Sequence, residues 1–141
     1  MALKLTLKPG EKFVVNGAVI ANGDRRSTVI VQNKVSILRE KDILQEQEVT
    51  TPARHIYFPI MLMYLGQGPG DSYYEQFVMR MTEFMNVVED PETLALCVEI
   101  SSNVMKQNYY KALMGCKKLF AYEDKRLGYV PQSVSAGSDA D

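Results

Sequence analysis

Leu3-Lys4-Leu5-Thr6-Leu7-Lys8-Pro9-Gly10 sets the class of the fold. Its strict alternation puts Leu3, Leu5 and Leu7 on one face and Lys4, Thr6 and Lys8 on the other, the period of a half-buried strand. Pro9-Gly10 ends it as a turn pair. Further along, Phe13-Val14-Val15 runs into Asn16-Gly17, a dipeptide that tolerates positive φ at a tight hairpin. Ala18-Val19-Ile20-Ala21 follows and closes on Asn22-Gly23-Asp24. Ser27-Thr28-Val29-Ile30-Val31 is β-branched almost throughout, and Asn33-Lys34 turns the chain into Val35-Ser36-Ile37-Leu38. Residues 1–50 therefore read as a small antiparallel β module of four or five short strands. So small a sheet buries little area and leaves strand edges open. It needs a second copy of itself or a cover of helices, and a homodimer built through the sheet is the expectation.

Beyond a polar linker at Glu46-Gln47-Glu48-Val49-Thr50 the period changes. Thr51-Pro52 has the form of an N-cap followed by proline at the first helical position. Residues 53–65 are apolar nearly all round, as a buried helix requires, with Pro59 expected to kink or interrupt it. Gly66-Gln67-Gly68-Pro69-Gly70 breaks it. Asp71 is placed to cap a second helix reaching about Val88, and Asp90-Pro91-Glu92 to open a third that ends near Gly115. A further turn or two of helix is expected over residues 116–126, capped at Gly128. The class is α+β: a β module followed by three or four helices over residues 51–128, with residues 129–141 as a small, polar, disordered tail.

The 141 residues carry a formal net charge of −1 and 46% hydrophobic residues, as an ordinary globular domain does. No apolar run approaches the ~18 residues of a membrane helix, no secretory layout opens the chain, and two cysteines give no disulfide framework. A cytoplasmic setting is expected. One histidine, His55, excludes a multi-histidine metal site. Phosphate-loop, dinucleotide and zinc-protease motifs are all missing. Neither an enzyme nor a cofactor is expected.

Charge is unevenly spread. Residues 1–44 hold eight Lys/Arg against four Asp/Glu, residues 45–100 two against nine, and residues 101–128 six against two. The basic module offers Lys4, Lys8, Lys12, Arg25, Arg26, Lys34, Arg39 and Lys41 to a polyanion, in the way that phosphate neutralisation gives salt-sensitive affinity. Phe13 is the only aromatic residue among the first fifty, so bases are not stacked on this sheet as on an RRM. Seven of the eight methionines lie between Met61 and Met114. They read first as core filler and second as an adaptable surface for a helical partner.

Leu3 to Glu11, together with Val35-Ser36-Ile37-Leu38-Arg39-Glu40-Lys41-Asp42-Ile43, resembles the CsrA/RsmA type of small RNA-binding regulator. The interval between the two motifs is several residues shorter here. That resemblance implies an RNA-contacting role for Arg39, with Leu5, Thr6 and Lys8 of a second subunit beside it. The chain as a whole is similar to the FlbT family. The likeness is carried by Met1–Asn33, by Ile37-Leu38-Arg39-Glu40-Lys41-Asp42-Ile43, by Thr51-Pro52-Ala53-Arg54 and by the apolar Tyr57–Leu65. It implies a post-transcriptional regulator that binds the 5′ untranslated region of flagellin mRNA and promotes its degradation during flagellum biogenesis. RNA-binding residues would then be Lys4, Thr6, Lys8, Arg25, Arg26 and Arg39, and partners would include a FlaF-like protein and flagellin. The competing expectation is an assembly factor or chaperone that acts on flagellin or a FlaF-like partner without touching RNA.

Overall fold

The computed structural model of the chain describes residues 3–66 and 70–126. Five strands precede four helices: β1 Leu3–Leu7, β2 Lys12–Val15, β3 Ala18–Ala21, β4 Ser27–Val31, β5 Ile37–Arg39, α1 Pro52–Leu65, α2 Gly70–Val87, α3 Pro91–Met105 and α4 Tyr109–Arg126. The expected tail lies outside the described residues, as does Gly128.

The strands form two small antiparallel sheets, β1–β4 and β3–β2–β5. In the first, Leu5 faces Val29 and Thr6 faces Thr28. In the second, Phe13 faces Arg39 and Val14 faces Leu38. Asn16 and Gly17 take φ of 50° and 87°, the two successive positive values that the β2–β3 turn demands. Leu5 and Leu7 are buried while Lys4 is exposed and Thr6 half-buried, so the alternation of β1 decides its inward face.

Four helices carry the main core. Ile56, Tyr57 and Ile60 of α1, Phe77, Met81 and Phe84 of α2, Cys97 and Ile100 of α3, and Leu113, Cys116 and Leu119 of α4 are all buried. α1 packs against both α2 and α4, and α3 packs on α4. Both helix starts follow the sequence: Thr51 Oγ1 accepts from Arg54 N at 3.3 Å, and Asp90 Oδ2 accepts from Thr93 N at 3.0 Å. Gly66, at φ 71°, ends α1 in the left-handed region.

Several helix expectations need correction: Asp71 lies within the first turn of α2, which begins at Gly70, and the last helix spans Tyr109–Arg126 in place of a turn or two after residue 116. Pro59 does not interrupt α1, which runs from Pro52 to Leu65. Burial of Ile56, Tyr57, Ile60 and Met61 on both sides outweighs the single backbone bond that proline removes. The third helix ends at Met105 and not near Gly115, because Gln107 turns to φ 63° and redirects the chain. Gly115 then lies inside α4, where a Cβ would come within 2.8 Å of Ile100 Cγ1. It is a close-approach point between α3 and α4, and it ends no helix.

The β module is fastened to the helices through β5 and the turn after it. Tyr64 Oη accepts from Ile37 N at 2.9 Å and donates to Ile37 O at 2.8 Å. Tyr57 Oη donates to Asp42 O at 2.6 Å. Lys117 of α4 forms an ion pair with the buried Asp42 carboxylate. Burial raises the Tyr57 phenol far above its ordinary range, so it remains a donor.

Candidate nucleic-acid interface

The end of β1, the turn after it and the end of β5 converge on Glu11. Arg39 projects from the last residue of β5 and its Nη2 donates to Thr6 O at 2.7 Å. The same guanidinium meets the Glu11 carboxylate through Nε at 3.2 Å and Nη2 at 3.0 Å. Glu11 Oε1 also accepts from Lys8 N at 2.9 Å. The Lys8 amide first, and the Arg39 guanidinium after a desolvation that acts the other way, hold the Glu11 carboxyl below its ordinary value of 4.5. Charge on Glu11 is thereby fixed over the neutral range.

Asn22 gathers a second piece. Its Nδ2 donates to Lys8 O and to Arg25 O, each at 2.8 Å. The loop that carries Arg25 and Arg26 is thus tied to the end of β1, with both arginines exposed. Gly10 N donates to Gly23 O at 2.8 Å and closes the same corner.

The structure therefore brings the Arg39 guanidinium and the backbone of Thr6 and Lys8 together around Glu11, and Asn22 ties the Arg25 backbone to the same corner. Lys4, exposed and opposite Ile30 in the β1–β4 register, stands two residues back on the strand. Arg26 is exposed at the same loop and, among the described residues, has no tie to the cluster. Sequence reasoning placed the meeting of Lys8 and Arg39 between two subunits. Within one chain the Arg39 guanidinium and the Lys8 backbone amide both meet Glu11, and Arg39 is half-buried with its charge matched by that carboxylate. Glu11 and Asn22 were missed as organisers. The signals for Glu11 were its place directly after the Pro9-Gly10 turn, which aims it back at the Lys8 amide, and its position at the end of the Leu3 to Glu11 segment.

His55 is half-buried on α1, its Nδ1 3.0 Å from Thr51 O, away from the cluster in sequence and unconnected to it by any described contact. Cys97 and Cys116 are free and fully buried. Burial pushes the Cys97 thiol up to about 11 and raises Cys116 further, so neither is a ready thiolate. Among the described residues no cluster of His, Cys, Asp and Glu fit for a metal ion occurs. No described helix is long and apolar enough to cross a membrane.

The family model described as flagellar protein FlbT matches residues 3–127. The chain belongs to the FlbT family. The flagellum biosynthesis repressor protein FlbT of Caulobacter vibrioides is 60% identical over 140 residues, which is 99% of each chain. A probable flagellum biosynthesis repressor of Bradyrhizobium diazoefficiens is 34% identical across 100% of this chain and 96% of its own. One from Agrobacterium fabrum is 30% identical over 89% of this chain and 83% of its own. No solved structure matches the chain.

Proposed function

We propose that this chain regulates flagellum synthesis after transcription, in the cytoplasm, by binding the 5′ untranslated region of flagellin mRNA and promoting its degradation. The observation that carries the reading is the corner at which Glu11 and Asn22 tie the Lys8 and Arg25 backbone and the Arg39 guanidinium to the ends of β1 and β5. It offers the exposed Lys8, Arg25 and Arg26 to the phosphates of a looped single strand, beside an Arg39 whose charge is matched by Glu11. Membership of a family whose relatives are named as repressors of flagellum biosynthesis supports a regulatory role over a catalytic one. The CsrA-like use of the module remains part of this proposal.

The module also has the edge that a dimer needs. β3 is exposed along its whole length and carries no charge, with Val19 at 70% and Ile20 at 42% exposure. Natural edge strands are normally blunted by charge, proline or a cover. A second copy pairing on β3 would cover this one.

Titration of the flagellin leader RNA and a scrambled leader at two salt concentrations tests the reading. Arg39→Ala and Lys8→Ala each weaken leader binding by about 1–3 kcal/mol, with the circular dichroism spectrum unchanged. Wild-type affinity in both variants overturns the assignment of the site. The second reading, a protein-binding assembly factor, has its own observation: Tyr74, Val78 and Met79 of α2 and Val98 of α3 are exposed apolar residues on the acidic segment 45–100. Co-purification of flagellin that survives both substitutions, without an RNA shift by the wild type, favours it.

A further inference from the structure

A groove of about 460 Å³ lies between α3 and α4, on the opposite half of the sequence from the corner around Glu11. Its floor includes Ile100 and Met114, and its rim carries Glu99, Asn103, Tyr110, Lys111 and Lys118. We propose that this groove is a second nucleic-acid contact, seating a nucleotide of single-stranded RNA whose phosphates follow the lysines of α4. The inference rests on the RNA-binding reading above and extends it to the helical half.

Three features converge. Lys111, Lys118 and Lys125 are all exposed and recur every seven residues, in one line along α4 at intervals of about 10 Å. Among the described residues none of the three is engaged in an ion pair, whereas Lys117 next to them is held by Asp42. Tyr110, 46% exposed, supplies beside Lys111 the aromatic face that the β module lacks. Bases of single strands stack on such rings, and the stacking tolerates any base.

The rest of the rim fits a base better than a bare anion. Glu99 and Asn103 lie one turn apart on α3, and neither side chain has a hydrogen-bond partner among the described residues. A carboxylate accepts from an exocyclic amine and an amide both donates and accepts at a base edge. Glu99 repels a carboxylate, which disfavours an acidic peptide in the same groove. It also keeps phosphates on the lysine side.

The groove connects to the first site. The Tyr110 ring packs on Tyr64, centroids 5.9 Å apart, and the Tyr64 hydroxyl is bonded to Ile37, two residues before Arg39. Tyr64 thus links the groove wall to the backbone of β5.

Full-length chain titrated with the leader RNA over a series of salt concentrations decides the matter. The double variant Lys111→Ala/Lys118→Ala should weaken binding at low salt and flatten the slope of log K against log salt by about 1.4, the single-strand value for two phosphates. Tyr110→Ala should lose about tenfold, and Tyr110→Phe should bind as wild type, since the ring alone is needed. If wild type binds and the lysine variant keeps its affinity and slope, the groove is wrong and the first site stands. If the lysines matter while Tyr110→Ala binds as wild type, the seated nucleotide is overturned. A wild type that binds no RNA overturns both sites together.

Discussion

Glu11 holds three donors at once, the Lys8 amide and two nitrogens of Arg39, and so fixes how much cationic charge the β corner shows. Its folded pKa is lower than the ordinary 4.5. The stabilisation it provides is therefore present in full above 4.5 and disappears as pH falls through the lowered folded value. With Arg39 31% exposed, the pair contributes less than about 1 kcal/mol. Glu11→Gln should lower the urea midpoint slightly at pH 7, and the gap from wild type should close on acidification below pH 4.5. The same substitution frees the guanidinium for phosphate, so it should tighten binding of the leader RNA; weaker binding would mean that Glu11 positions Arg39 for the contact. The residue types of this site were legible in the alternation of β1 and the cation near the end of β5. Their partner was not, because Glu11 and Arg39 are 28 residues apart and only the β2–β5 register brings them together.

α3 and α4 approach most closely at Gly115. A methyl added there would lie 2.8 Å from Ile100 Cγ1 and 3.5 Å from its Cδ1. Helix propensity favours alanine over glycine by roughly 1 kcal/mol, whereas overpacking a filled contact costs about 1–3 kcal/mol. Ile100 is buried and its Cγ1 is near the backbone, so it has little freedom to give way. Gly115→Ala should therefore lower the urea midpoint with an unchanged slope; a raised midpoint would show that the helices part easily. This element explains where sequence reading succeeds and where it stops. Caps and turns are local chemistry, so Thr51-Pro52, Asp90-Pro91 and Asn16-Gly17 could be read directly. The α3–α4 boundary depends on Gln107 adopting positive φ, which no local rule favours, and on a glycine chosen for its distant neighbour.

Over the whole molecule, the β module and the helices are joined by a few polar contacts around Ile37 and Asp42 and by Leu38, the one strand residue in the helical core. The Asp42 side chain is 5% exposed and Lys117 36%. Removing the cation leaves a buried carboxylate without its counter-charge, which is worse than removing both groups. Lys117→Met should cost about 2 kcal/mol, reduced from the fully buried case by the solvent around the lysine. Asp42→Asn/Lys117→Met should recover more than half of that. All eight tyrosines follow residue 56, so tyrosine emission reports the helical half, while far-ultraviolet circular dichroism reports both halves. In wild type the two signals should change together on urea unfolding, because the Tyr57 and Tyr64 hydroxyls satisfy backbone groups of the module. If Lys117→Met instead separates the two transitions, Asp42 is the latch that keeps the module docked.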